Sequence, residues 1–409
     1  MEVKEKINFI GQGTFGCSYH PPLSCKEEEL NISYGNNNYI MKIATNLDIE
    51  DDIKMSDILQ KIDPIQQYFL YVIPKKCSLK IPIEYLKEKC IVVQKNPDKQ
   101  FNGYFIKYGG ITIKQYISKY PEKMTIKRVW TWLIKLIYSI SLLQKHNICH
   151  LDIKSDNIVI DNLDNIYLID FGLTVQITDT VKKKYTSEFI GTFYPVYPLF
   201  YNAVTNGTYE QLVNEYKDRL GNDFSIIKEL VTLTGDEDRY WKTIILPNIY
   251  KIDIYSLGKL FLYNIYIEFK ETFKNENAKL TEQLSFLLKS MTLPTYKEQF
   301  DVKKCLDYIN KLNIEENLGT IITRLSEIYI SDEGKKKALN NLCKLSKDVP
   351  KDDLIVYFDN TDKIYYCLSK DDLLKMKPYY INPQNPLKFI DYNFIDKIKD
   401  HYKLQTNKQ

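Results

Sequence analysis

"HLDIKSDN", residues 150–157, is the stretch on which the reading of this chain turns. A histidine, two aspartates, a lysine and an asparagine stand together directly behind a long apolar segment, and the strand-like "NIVI" begins at Asn157. Such a cluster can be a solvated loop and nothing more. It becomes a site only if other parts of the chain supply further oxygen ligands, a close backbone approach and a cation.

The further ligand is Asp170 in "LIDFGL". Between Asp152 and Asp170 the segments "NIVI" and "NIYLI" bracket the turn "DNLDN", which predicts a small hairpin. Phosphoryl transfer needs a carboxylate that orients the attacking hydroxyl and accepts its proton, and oxygen ligands for Mg²⁺. Asp152 suits the first role and Asn157 and Asp170 the second, while Lys154 can neutralise charge on the transferred group. The close approach is offered by "IGQGTFGCSY", where Gly11, Gly13 and Gly16 follow the strand-like "INFI". Glycines at this spacing let backbone N–H groups reach phosphate oxygens. No helix follows, so a glycine-rich hairpin lid fits better than a dinucleotide fold. Lys42 in "YIMKIA" is either an edge-strand lysine facing water or a cation reaching into a cleft to hold phosphate oxygens.

At 409 residues the chain can bury a sizeable core and form two or three compact units. Its 44% hydrophobic and 13% aromatic content is globular, and a formal charge of +3 argues against a dedicated nucleic-acid binder. Arginine occurs only at Arg128, Arg219, Arg239 and Arg324, while Lys, Asn, Ile and Tyr are rich, as an AT-rich genome would impose. The eight cysteines are scattered with no C-x-x-C pair, which favours free thiols in a reducing intracellular compartment; zinc binding by Cys17, Cys25, Cys77 and Cys90 is the alternative. "MEVKEKINFIGQG" contains no apolar signal core, and no segment is long enough to span a bilayer, so a soluble protein is expected.

Along the chain, short strands such as "YIMKIA" and "YFLYVI" fill the first hundred or so residues, with one helix, "DDIKMSDILQKI", whose Met55, Ile58 and Ile62 share a face. Residues 126–144 are apolar nearly all round and predict a buried helix. Helices then dominate to about Ser346. From about Lys347, "LIVYF", the turn "DNTD" and "KIYYCL" predict a hairpin, followed by the helical "KDDLLKM", the extended "PYYINPQNPL" and a last helix. A strand-rich part followed by a helix-rich part fits two lobes around a cleft.

With these residues in place the chain resembles a eukaryotic-type protein kinase. The family's H-R-D-x-K-x-x-N loop is met by His150, Leu151, Asp152, Lys154 and Asn157, its D-F-G by Asp170, Phe171 and Gly172, and its D-x-W-S-x-G by "DIYSLG" from Asp253. The resemblance implies an α+β, bilobal kinase-like fold: a small β-rich N-lobe over 1–110, a larger helical C-lobe over 111–346 with an inserted helical segment at about 200–248, and a small C-terminal extension over 347–409. It also implies ATP and Mg²⁺ as cofactors and a hinge at Ile106, Lys107 and Gly109 in "FIKYGG". A lysine two residues after Asp152 resembles the serine/threonine branch. "GTFGCSYHPPLSC", "KIDPIQQYFL" and the insertion resemble the kinases of large nucleocytoplasmic DNA viruses, and the tail resembles a small module of such viruses. That origin implies the cytoplasm of an infected host cell, with the virion as a second location.

Several positions depart from the family pattern. Leu151 replaces the arginine that grips an activation-loop phosphate, which implies an enzyme that needs no such phosphorylation, although Thr186, Ser187 and Thr192 stand beside "KKK". Leu199 replaces the glutamate of A-P-E, and Ser18 and Ile40 replace small apolar residues around adenine. For the carboxylate that should pair with Lys42, Glu50, Asp51, Asp52 and Asp57 compete; Asp51 is chosen because it shares a face with Met55, Ile58 and Ile62. The expectation is a monomeric serine/threonine kinase acting on protein hydroxyls, with no nucleic-acid partner and no membrane span. Its alternatives are a pseudokinase that serves as a nucleotide-binding scaffold, and a small-molecule kinase.

Overall fold

The computed structural model of the protein describes residues 9–12, 16–26, 38–64, 66–80, 82–177, 195, 198, 237–293 and 296–312, with the backbone of 354–359, 364–369, 380–381 and 389–390. Backbone contacts divide the chain into two compact units, residues 1–162 with 166–308, and residues 309–409 with 163–165.

The first unit begins with an antiparallel sheet of β1 (Phe9–Gln12), β2 (Cys17–Tyr19), β3 (Tyr39–Thr45), β5 (Val72–Cys77) and β6 (Phe101–Lys107), in the order β1-β2-β3-β6-β5. Strand alternation decides what each face carries. Met41 and Ile43 of β3 join Cys17, Tyr19 and Phe105 in one core. Ala44 and Tyr104, which is paired across the ladder with Lys42, belong to another core. The first face is covered by the segment between β5 and β6, with its short helices α2 (Ile83–Lys87) and α3 (Ile91–Lys95) supplying Leu86, Cys90 and Val93. The second is covered by α1 (Asn46–Ile62) through Ile49 and Ile53. Lys42 therefore lies on the α1 side.

Four cysteines of the first face are paired, Cys17 with Cys90 and Cys25 with Cys77. This corrects the expectation of free thiols, and the four form neither a shared zinc site nor any other metal-holding group of His, Cys, Asp or Glu among the described residues. Scattered spacing misled because the partners lie 73 and 52 residues apart and meet only through the sheet. In the chain-entropy view, crosslinks over such separations each stabilise by about 4 kcal/mol.

After α1, Asp63 turns the chain: its carboxylate accepts from the backbone N–H groups of Gln67 (2.9 Å), Tyr68 (2.7 Å) and Phe69 (3.0 Å). This delivers β4 (Phe69–Leu70) to a second sheet, where it runs parallel to β10 (Ile166–Ile169). The order there is β4-β10-β9-β7, with β7 (Ile111–Thr112) and β9 (Ile158–Ile160). "YFLYVI" is thus split between two sheets, while "NIVI" and "NIYLI" form the expected hairpin. At the connection from β6 to β7, Gly110 has φ of +89° and a Cβ would run into the Ile160 carbonyl. Only glycine fits there.

The helical part opens with α4 (Ile113–Lys119), capped by Thr112, and is organised on α5 (Ile126–Lys145). Thr125 caps it by accepting from Arg128 N (3.2 Å), and Glu276 accepts from Ile126 N (2.9 Å). Its apolar residues are buried nearly all round, as the sequence predicts, and Trp130 donates to Leu280 O (3.2 Å) of a later helix. A two-stranded ladder joins β8 (Ile148–Cys149) to β11 (Val175–Gln176). Helical turns over 237–248 lead into α6 (Tyr250–Phe261), and α7 (Ile267–Met291) and α8 (Val302–Lys311) follow. No helix among the described residues is long and apolar enough to cross a membrane. In the second unit, β12 (Leu354–Asp359) and β13 (Ile364–Ser369) pair antiparallel, as "LIVYF" and "KIYYCL" predict, and β14 (Tyr380–Ile381) pairs with β15 (Phe389–Ile390). The expected insertion up to residue 236 and the two tail helices lie outside the described residues.

One buried charge stands apart from the apolar core. Lys135 of α5 is 2% exposed, with Nζ 4.7 Å from the centre of the Tyr167 ring. Burial lowers its pKa to about 8; Asp161 and Asp63 act upward and Lys107 downward. The folded chain then holds fewer protons than the unfolded one between about 8 and the ordinary 10.5, so this group makes stability rise with pH across that window. Lys135→Met is expected to be more stable than wild type near pH 7, by about 1–3 kcal/mol, with the advantage shrinking toward pH 10. Urea midpoints of both proteins at several pH values check this; a constant difference would contradict it.

Candidate active site

The centre of the site is Lys42. Strand β3 directs its side chain between two carboxylates, with Nζ 2.6 Å from Asp52 Oδ2 and 3.5 Å from Asp170 Oδ1. Burial works to lower the lysine pKa, but the two carboxylates together more than offset it and the net direction is up. Burial likewise works to raise the Asp170 pKa, and Lys42, His150 and Lys154 bring it below the ordinary value. Lys42 and Asp170 are therefore held ionised together.

The partner on α1 is Asp52, not the expected Asp51. The buried stripe of the helix runs through Ile49, Asp52, Met55, Ser56 and Leu59, whereas Ile58 and Ile62 are only half-buried. A stripe drawn through Met55, Ile58 and Ile62 is rotated by one residue and selects the neighbouring aspartate. Asp52 is 3% exposed, and its own carbonyl accepts from Ser56 Oγ (2.6 Å).

The loop at 150–157 is held from below by a buried carboxylate. Asp253 of α6 accepts from the backbone N–H of His150 (Oδ2, 2.8 Å) and of Leu151 (Oδ1, 2.8 Å). Burial raises its pKa, against His150 and those two N–H groups. Leu151 has φ of 62°, a left-handed conformation costing a bulky residue about 1–2 kcal/mol, and the bond to Asp253 holds it there. Its side chain is buried, so the position where the family carries arginine faces the core. His150 accepts from Asp152 N at Nδ1 (3.3 Å) and contacts Ile169 O through Nε2 (3.2 Å), partners that assign the ring proton to Nε2. It serves as a packing and hydrogen-bonding residue against Phe171, with ring centres 4.9 Å apart.

Above this support, Asp152 Oδ2 accepts from Lys154 Nζ (2.7 Å) and Asn157 Nδ2 (2.7 Å), and Asn157 Nδ2 also donates to Asp152 O (2.9 Å). The amide nitrogen of Asn157 is thereby occupied and its oxygen is left as a ligand. Asp170 has φ of 63°, which aspartate tolerates better than most residues. Phe171 is buried between His150 and Phe69, whose ring centre is 5.8 Å away. The amide oxygen of Asn157 and the Asp170 carboxylate form a hard-oxygen set of the kind Mg²⁺ takes, so the residues present fit that ion.

Of the glycine turn, Gly11 lies within β1 with nothing that a Cβ would meet within 4 Å, while a Cβ at Gly16 would strike the Ile43 carbonyl. Gly13 lies outside the described residues. Ile106 and Lys107 end β6, and Gly109 follows in the connection to β7, packed against Leu70 and Val159. Tyr108 N donates to Asn38 O (2.8 Å), and its ring stacks on His20 at 4.1 Å between centres. Thr186, Ser187, Thr192 and Leu199 lie outside the described residues.

Asp253 has a signal in sequence, as the first residue of "DIYSLG", but its role in holding Leu151 is visible only in three dimensions. Asp253→Asn keeps the shape and offers one acceptor oxygen to two N–H groups. It is expected to lose about 1–3 kcal/mol of stability. Urea denaturation with an unchanged slope checks this.

Comparison with known proteins is informative for one part of the chain. Residues 105–198 match the model of the protein kinase domain. The chain is 32% identical over 89 residues to the serine/threonine-protein kinase CLA4 of Candida albicans, covering 22% of this chain and 9% of that protein. It is 27% identical over 177 residues to the dual specificity protein kinase zakA of Dictyostelium discoideum, covering 41% of this chain and 18% of that one. The aligned parts thus span less than a fifth of either relative. The matched family segment contains Asp152, Lys154, Asn157 and Asp170, and these findings support kinship of that segment with the eukaryotic protein kinase superfamily.

Proposed function

We propose that this chain is an ATP- and Mg²⁺-dependent protein kinase that phosphorylates serine and threonine hydroxyls. The observation that carries the proposal is the joining of Lys42 to both Asp52 and Asp170, beside a loop in which Asp152 is bonded to Lys154 and Asn157. When bound, the Mg²⁺-nucleotide supplies the phosphoryl group and neutralises part of its charge.

Each residue then has a defined task. Backbone N–H groups of the glycine turn at Gly11, Gly13 and Gly16 cover the phosphates, and Lys42 donates to their oxygens from a position fixed by Asp52. Ile106, Lys107 and Gly109 border the base. Asn157 and Asp170 hold the cation. Asp152 orients the substrate hydroxyl and accepts its proton, and Lys154 offsets negative charge as it develops. The lysine two residues after Asp152 supports serine and threonine as acceptors. With Leu151 turned into the core, the loop has no arginine to read an activation-segment phosphate, which supports activity without that modification. The motifs and AT-biased composition support an origin in a large DNA virus and action in the host cytoplasm.

Transfer of phosphate from labelled ATP to a mixed set of basic, acidic and casein-like proteins tests the proposal. Asp152→Asn is expected to lower transfer about 10²–10⁴-fold while nucleotide still binds. Chelation of Mg²⁺ should abolish transfer, and phosphoamino-acid analysis should return serine or threonine. Nucleotide binding without transfer by the wild type would instead make the protein a nucleotide-binding scaffold. Asp52→Asn should raise the KM for ATP about tenfold or more, while Asp51→Asn leaves it near wild type. Equal effects of the two would contradict the Lys42–Asp52 pairing.

A further inference from the structure

The two disulfides and the glycine turn belong to one mechanical unit. Gln12 and Cys17 are ladder partners on the strands flanking the turn. On the β1 side, Gln12 Oε1 accepts from Ile91 N (3.2 Å); on the β2 side, Cys17 is bonded to Cys90. Both flanks are thus fastened to two consecutive residues at the start of α3. The fastening segment is itself anchored by Cys25–Cys77, the bridge between Cys25 and Leu79, and the bonds Lys26 N to Ser78 O (2.8 Å) and Lys80 N to Ser24 O (3.0 Å).

Access to the sulfurs is graded. Cys17, Cys90 and Cys77 are fully buried, while Cys25 is partly exposed at the edge of the cluster. Thiol–disulfide exchange needs an in-line approach of a thiolate to a sulfur, so an external reductant meets Cys25 first. In reducing compartments, disulfides that form are mostly transient and redox-sensing.

We infer that Cys25–Cys77 and Cys17–Cys90 form a thiol–disulfide exchange site through which a dithiol reductant loosens the glycine turn and weakens nucleotide binding. The consequence for nucleotide rests on the kinase reading above. A thiolate of the dithiol attacks Cys25 Sγ, a mixed disulfide forms and Cys77 leaves as thiolate. The second thiol of the reductant then displaces Cys25, so that one disulfide and one dithiol become two protein thiols and one oxidised dithiol, a transfer of two electrons and two protons. Opening of this clasp exposes Cys17–Cys90 to the same exchange, and the flanks of the turn then keep only their strand ladders and the Gln12–Ile91 bond.

The test uses the full chain, isolated with free thiols blocked at lysis and equilibrated in mixtures of reduced and oxidised dithiothreitol. Alkylation mapped by mass spectrometry identifies which cysteines are open, hydrogen exchange reports residues 9–19, and titration gives the Kd for Mg²⁺-ATP. The expected result is reduction of Cys25–Cys77 before Cys17–Cys90, faster exchange in the turn once the second opens, and a Kd raised about tenfold. The double variant Cys17→Ser with Cys90→Ser should show the weakened Kd without reductant. If that variant does not fold, the wild-type titration decides alone. Free thiols at all four of Cys17, Cys25, Cys77 and Cys90 in the protein as isolated, or an unchanged Kd after both bonds open with phosphate transfer retained, would overturn the inference while the kinase reading stands. A protein that binds no nucleotide in either state would overturn both.

Discussion

A lysine shared by two carboxylates is the constraint from which the geometry of the site follows. Lys42 is fixed by the pleat of β3, Asp52 by the buried stripe of α1, and Asp170 by the end of β10. An ammonium withdrawn from water is costly unless opposite charge is near, so these three elements are set where their charges meet. Aspartate makes the demand strict, because it has one methylene fewer than glutamate with which to span a gap. The 2.6 Å contact with Asp52 means that α1 lies close enough to the sheet for the shorter side chain to reach.

The loop below obeys the same rule with opposite sign. Asp253 is a fully buried carboxylate that accepts from two backbone N–H groups. Such a group is costly to bury unless its acceptors are satisfied, and satisfying them determines the path of His150 and Leu151. The left-handed conformation of Leu151 is the local cost of that path. Asp152, the next residue, is thereby delivered to Lys154 and Asn157.

What could be read from sequence follows from the range over which each signal acts. The hairpin around "DNLDN", the buried helix at 126–145 and the strand holding Lys42 rest on local periodicity, and each is present. The loop from His150 to Asn157 was legible because its chemistry is contiguous. Asp52 was not, since choosing among neighbouring acids requires the rotational phase of a helix, and a face drawn through Met55, Ile58 and Ile62 omits the fully buried Leu59. "YFLYVI" reads as one strand because nothing local shows that Asp63 steers its two halves into different sheets.

The cysteines show a limit of another kind. Spacing along a chain reports metal knuckles and short redox motifs, whose ligands are close in sequence. Cys17 and Cys90 are neighbours only because β2, β3, β6 and the segment before β6 place them so, and no local pattern records that. Their position is nevertheless consistent with the rest of the structure. A glycine-rich turn gains its close approach to an anion by giving up side-chain packing, and the flexibility that results must be limited from outside the turn. In this chain the limit is applied at Gln12 and Cys17, through a cap whose own anchorage includes the partly exposed Cys25.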